Sequence, residues 1–205
     1  MTSPSLDSSN DSKWSLTTKG SIAIIVIYGL LDWLAVPTPG AKDWRELLPQ
    51  NTTVAPALTS VSVSKEHQKP SPCPEADGKF QCDKPSWAYV GTKRDMTVAG
   101  KKETCTWAHP LAKRTLHITH APLSLNAGET LLLETALDDR AVSGRGGAVD
   151  VAVLAGGEKI ARHTQRDRRG WQTLEIKGPR EGALVLEVSA KNTGRRHFCY
   201  RLRQK

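Results

Sequence analysis

The sequence predicts an all-β protein, an antiparallel sandwich or barrel carried behind one N-terminal transmembrane helix. Three observations predict it. Residues 21–36, "SIAIIVIYGLLDWLAV", form an apolar run carrying one charge, Asp32. From about residue 79 the chain breaks into short alternating segments rich in Val, Leu and Thr. Between those segments lie "SGRGG", "AGGE", "KGPREG" and "KNTG", with the Gly, Pro and Asn that tight turns require.

In chain order, residues 1–19 are rich in Ser, Thr and Asp and are expected as a disordered cytoplasmic arm. Residues 20–37 follow as the span. Sixteen helical residues rise about 24 Å, slightly short of the ~30 Å hydrocarbon core, and flanking residues extend the helix at both ends. Trp33 and Trp44 lie near the exit end, where indole rings favour the headgroup region, and Asp32 is placed to reach the interface or a partner's donor. A buried core helix and a cleaved signal peptide are the competing readings. The run is apolar all round, without an amphipathic stripe, and "VPTPGA" is a poor small-x-small cleavage site, which favours an uncleaved anchor. Lys13 and Lys19 before the span balance Lys42 and Arg45 after it, so positive charge does not set the orientation. Four cysteines follow the span without metal-ligand spacing, which places the C-terminal part in an oxidising compartment, periplasmic or extracellular.

Residues 38–78 are rich in Pro, Ser and Thr and read as an extracytoplasmic linker. Residues 79–205 are expected as the sandwich. Its strand-like segments are 130–136, 148–155, 171–177 and 183–190, with 86–91 and 114–120 as weaker examples. The closing "RRHFCYRLRQK" fits a last strand: Phe198, Tyr200 and Leu202 would enter the core while Cys199, Arg201 and Arg203 face outward.

The order "GETLLLETALDDR", "GGAVDVAVLAGGEKI" and "GWQTLEIKGPREGALVLEVSAKNTGRRHFCYRLR" resembles a galactose-binding-like jelly roll of the carbohydrate-binding-module type, over roughly residues 105–203. The resemblance implies that the closing strand lies beside the first, and that such a module binds sugars or serves as an interaction domain. It also bears on the cysteines. Cys73 and Cys82 enclose a short loop with an Asp-Gly turn and form the local pair, leaving Cys105 with Cys199 on strands that a jelly roll makes neighbours.

Chemistry-bearing motifs are few. The two histidines of "HITH", His117 and His120, fall on opposite faces of a strand and do not converge on a metal. Asp138 and Asp139 sit at a loop rim, where calcium would need six or more oxygens. No nucleophile elbow, zincin, Walker or dinucleotide fingerprint occurs, so a non-enzymatic protein without metal or cofactor is expected. The net charge of +8 concentrates in "KIARHTQRDRRGW", residues 159–171. Outside the cytoplasm this basic loop selects anionic glycan, lipid headgroups or an acidic protein face over nucleic acid. Two functions follow as expectations. One is an accessory subunit whose sandwich docks on a larger membrane protein complex through a single-pass anchor. The other is a tethered module for acidic cell-envelope glycans, contacting them through Trp107, His109, Arg162, Arg166, Arg168, Arg169 and Trp171.

Overall fold

The computed structural model describes residues 55–142 and 146–205. The arm, the apolar span with Asp32 and Trp33, and the linker as far as residue 54 lie outside the described residues. Thirteen strands and one short helix are formed among the described residues. In chain order they are β1 (Leu58–Lys65), β2 (Ser71–Pro72), β3 (Glu75–Ala76), β4 (Lys79–Gln81), β5 (Tyr89–Val98), β6 (Lys101–Ala108), β7 (Arg114–Leu125) and β8 (Thr130–Leu137). After α1 (Asp139–Val142) come β9 (Val149–Ala155), β10 (Glu158–Gln165), β11 (Gln172–Lys177), β12 (Arg180–Ala190) and β13 (Phe198–Gln204).

Every pairing is antiparallel. A six-stranded sheet runs β10-β9-β12-β7-β1-β2, and a seven-stranded sheet runs β11-β8-β13-β6-β5-β4-β3. Their inner faces close a core that includes Leu116, Ile118, Val151, Val153, Leu184 and Leu186 from the first sheet and Leu131, Leu133, Leu137, Phe198 and Tyr200 from the second. Alternation along the strands produces this, since every second side chain points inward. Where the alternation slips, a bulge accounts for it. In β7, Leu116, Ile118 and His120 face in, then Leu123 and Leu125 do; the register shifts between Ala183 and Leu184 of β12, leaving Ala121 as the extra residue. Pro122 follows directly, a residue with no N–H to lose from the ladder.

Residues 58–78, expected within the linker, belong to the sandwich instead. β1 pairs with β7 along Ser60–Lys65, with Val61 opposite Ile118 and Val63 opposite Leu116. Its sequence "LTSVSVSK" carries Ser and Thr on the solvent face, so composition disguised it. His120 ties the entry to this strand into the core: Nδ1–H donates to the Pro56 carbonyl (2.9 Å), and Nε2 accepts from the Tyr200 hydroxyl (2.9 Å). A second difference concerns the basic loop. Residues 158–165 form β10, leaving 166–171 as the connection between the sheets.

The last strand follows the expected pattern. Phe198, Tyr200 and Leu202 are in the core, Cys199 faces outward, and β13 lies between β8 and β6. Both disulfides are formed, Cys73–Cys82 (Cα–Cα 4.7 Å) and Cys105–Cys199 (Cα–Cα 6.0 Å).

Candidate functional site

The outer face of the seven-stranded sheet carries a second apolar cluster of Tyr89, Met96, Val98, Cys105, Trp107, Ala136 and Cys199. Strand register explains it. Ala136 lies opposite Cys199, Cys199 opposite Trp107, and Trp107 opposite Gly91, so these positions form one row across four strands. Gly91 leaves room in that row, because a Cβ there would stand 3.1 Å from the Tyr89 ring. A bulge in β5 between Gly91 and Arg94 then reverses the alternation, which puts Arg94 and Met96 on the same face as Tyr89.

Over this row lies a cleft of about 620 Å³ lined by Trp107, Met96, Tyr89, Trp87, His197 and Asp138 together with Lys79, Arg94, Arg140 and Arg195. Trp87 is 49% exposed, the exposed large hydrophobic side chain among the described residues. Its loop is held from several sides. Gln81 Nε2 donates to the Pro85 carbonyl (2.8 Å), the Ala88 N–H donates to the same carbonyl (2.8 Å), and the neighbouring Cys82 is bonded to Cys73. Trp107 Nε1–H donates to the Trp87 carbonyl (3.2 Å), fixing the loop to the cleft floor. Behind Trp87 stands His109, ring centroids 4.5 Å apart. Its Nδ1–H donates to the Pro110 carbonyl (2.8 Å), and burial holds its pKa below the ordinary histidine value. Trp87 therefore presents a pre-positioned aromatic face to solvent.

The opposite rim is made by α1 and the β5–β6 hairpin. Asp139 accepts from the N–H groups of Ala99 (2.9 Å) and Gly100 (2.7 Å), both at positive φ in the hairpin tip. Asp138 is 2% exposed and accepts from the Thr97 N–H (3.3 Å), the Arg140 N–H (3.0 Å) and the Arg140 guanidinium (2.8 Å). Burial alone would raise its pKa, but these bonds outweigh it and hold the carboxyl below the usual carboxylate range. The two aspartates thus clasp a hairpin, and their oxygens are committed to the chain's own donors. Among the described residues no group of three or more His, Cys, Asp or Glu side chains is placed to hold a metal ion.

The remaining charge in the cleft is basic. Arg94 lies over the Trp107 ring (5.7 Å) and Lys79 over the Tyr89 ring (5.5 Å), and neither makes an ion pair among the described residues. Burial, reinforced by Arg140, Arg94 and Arg195, holds the His197 pKa below the ordinary histidine value against the pull of Asp138.

The residues singled out from sequence are divided by the fold. Trp107 is on the cleft floor and His109 supports the rim from behind. Arg162 lies on the outer face of the other sheet, in a depression of about 430 Å³ with Lys159, Asp150 and Glu187. Arg166, Arg168 and Arg169 are exposed in the loop that joins the sheets. Trp171 packs on the outer cluster, and the guanidinium of Arg201 covers its ring at 4.0 Å. The basic segment consequently does not converge on one ligand position. Trp87, Tyr89, Arg94 and Arg195 went unnoticed in the sequence; the Trp and Tyr of "SWAYVG" were the one available signal.

The fold and site together define an antiparallel β-sandwich with a preformed aromatic and basic cleft on one face. No protein-family model matches the sequence, and no curated protein matches it. Among solved structures, the CBM51 module of a Clostridium perfringens GH95 protein in complex with methyl-galactose is similar (TM-score 0.40, 14% identity), covering 70% of this chain and 91% of that one. The tandem CBM51 modules of Sp3GH98, a family 98 glycoside hydrolase from Streptococcus pneumoniae, give a TM-score of 0.44 at 10% identity, over 71% of this chain and 48% of that one. The CBM51-2 and INT domains of Clostridium perfringens ZmpB give 0.37 at 13% identity, over 55% of this chain, which spans 28% of their length. At identities and scores this low, the functional reading rests on the cleft's own residues.

Proposed function

We propose that the sandwich is a non-catalytic saccharide-binding module and that its ligand seats in the Trp87–Trp107 cleft. The observation that carries this reading is Trp87: a large aromatic side chain, half exposed, on a loop pinned by hydrogen bonds and a disulfide, at the mouth of a recess. The C–H face of a pyranose ring is apolar and stacks on such a surface, while its hydroxyls need the charged and polar groups that surround it. A recess of this size suits a small ligand better than the broad apolar patch of a subunit interface. Of the two carboxylates lining the cleft, Asp95 and Asp138, the second is occupied by Arg140 and Thr97, which argues against an acid–base pair for glycoside cleavage. Two disulfides support an extracytoplasmic location, and the apolar segment 20–37 would then anchor the module to the membrane.

The test is a glycan panel probed with the full-length chain in mild detergent, wild type beside Trp87→Ala. Saccharide binding by the wild type that drops about tenfold in the variant is expected. A wild type that binds no saccharide, or a variant that binds as well as wild type, sinks the reading.

A further inference from the structure

Arg195 and Arg196 are adjacent in sequence and have opposite fates. Arg196 turns inward, fully buried: its guanidinium pairs with Asp167 and occupies a space that a Cβ on Gly146 would invade. Arg195 is left pointing out into the cleft at φ +55°, a left-handed conformation that Gly or Asn adopts more readily. A bulky charged residue kept in such a conformation at a ligand cleft points to a use for its side chain, since glycine would hold the same turn without strain.

The charge balance points the same way. Four cations and two carboxylates line the cleft, and Asp138 is already neutralised by Arg140. Asp95, at the edge of the cleft, accepts from the Thr104 hydroxyl (3.0 Å) and makes no ion pair with Arg94, Arg195 or Lys79. The cleft therefore keeps a net positive charge beside its aromatic surface.

On the reading of this cleft as a saccharide site, we propose that the ligand is an anionic saccharide. Its ring stacks at Trp87, and its acidic group is held by the guanidinium groups of Arg195 and Arg94. Planar guanidinium forks match the two oxygens of a carboxylate or the oxygens of a sulfate, giving charge-assisted bonds that a neutral sugar does not form.

The experiment measures binding of the full-length chain to hexuronate-bearing, sialate-bearing and sulfated oligosaccharides, each beside its neutral parent. The arms separate carboxylate from sulfate. Wild type should bind one acidic member at least tenfold tighter than its parent. Arg195→Gly, and independently Arg195→Asn, which tolerates the same backbone geometry, should reduce that preference to within about twofold, with no loss of thermal stability. Trp87→Ala should weaken acidic and neutral members alike. Equal binding of acidic and neutral members by wild type, or a preference that survives in both Arg195 variants, overturns the inference while leaving the saccharide site standing. Loss of all saccharide binding overturns the site itself. Anionic phosphatidylglycerol vesicles provide the remaining arm: binding to them that depends on Arg195 and not on Trp87 would assign the cations to a lipid surface and refute the proposal.

Discussion

Removing the Cys105–Cys199 bridge should destabilise the sandwich more than removing Cys73–Cys82, by an amount the chain itself sets. The two bridges span sequence separations of 94 and 9 residues. In the loop-closure model these are worth about 4.7 and about 2.7 kcal/mol at 25 °C, a difference of about 2 kcal/mol. All four cysteines are buried, so replacing each pair with alanine costs comparable packing, and that part cancels in the comparison. Guanidinium unfolding followed by tryptophan fluorescence checks the difference, with equal slopes required before the midpoints are compared. The bridge also lies under the cleft: Cys199 is opposite Trp107 in the ladder, and Cys105 is two residues from it on the same face. Saccharide binding should therefore weaken in the Cys105→Ala/Cys199→Ala variant at temperatures where the sandwich remains folded. If the Cys73→Ala/Cys82→Ala variant loses as much stability or more, the chain-entropy reasoning is refuted.

Two further outcomes follow from the backbone and from buried imidazoles. Gly182 has φ +106°, and a Cβ on it would stand 2.7 Å from Gly156 Cα; Gly182→Ala should cost about 3 kcal/mol through strain and overpacking, read as a lowered unfolding midpoint, and a neutral substitution would contradict the geometry. Burial pushes the pKa values of His109, His120, His163 and His197 below the ordinary 6.5, so the unfolded chain binds more protons in that range. Stability should be fully present above about pH 6.5 and fall as the pH drops toward the folded-state values, whereas Asp83 and Asp138, held below 3.8, contribute their losses only in stronger acid. A melting temperature that rises between pH 7 and pH 5 would overturn this assignment.

How much of this was legible in the sequence varies with the kind of information each residue carries. Segments 130–136, 148–155 and 183–190 announced themselves because they lie centrally, with Leu and Val alternating against a buried face. β1 did not, because a single Val, Val61, is fully buried in it and its outer residues are Ser and Thr. Trp107 is a candidate contact residue on its neighbours in the chain alone. Its partner Trp87 lies twenty residues away and joins it through a carbonyl, the His109 ring that both tryptophans touch, and a shared cleft. The arginines of 162–169 are clustered in sequence, yet the fold puts Arg162 on a strand face and Arg166, Arg168 and Arg169 in the exposed loop that follows.

The sequence by itself determined the sandwich class and the fate of the closing strand, and its resemblance to a jelly roll implied the partners of the four cysteines. Period-two alternation and turn residues are local properties, and a pairing of strands at the two ends of a fold needs only its topology. The tertiary structure decided where a ligand can sit. That depended on a bulge in β5, which reversed the alternation and brought Arg94 and Met96 to the face of Tyr89. It depended equally on a turn at Arg195 that sends one arginine into the interior and its neighbour into the cleft. A one-residue slip in register exchanges the two faces of a strand, and no local composition records it.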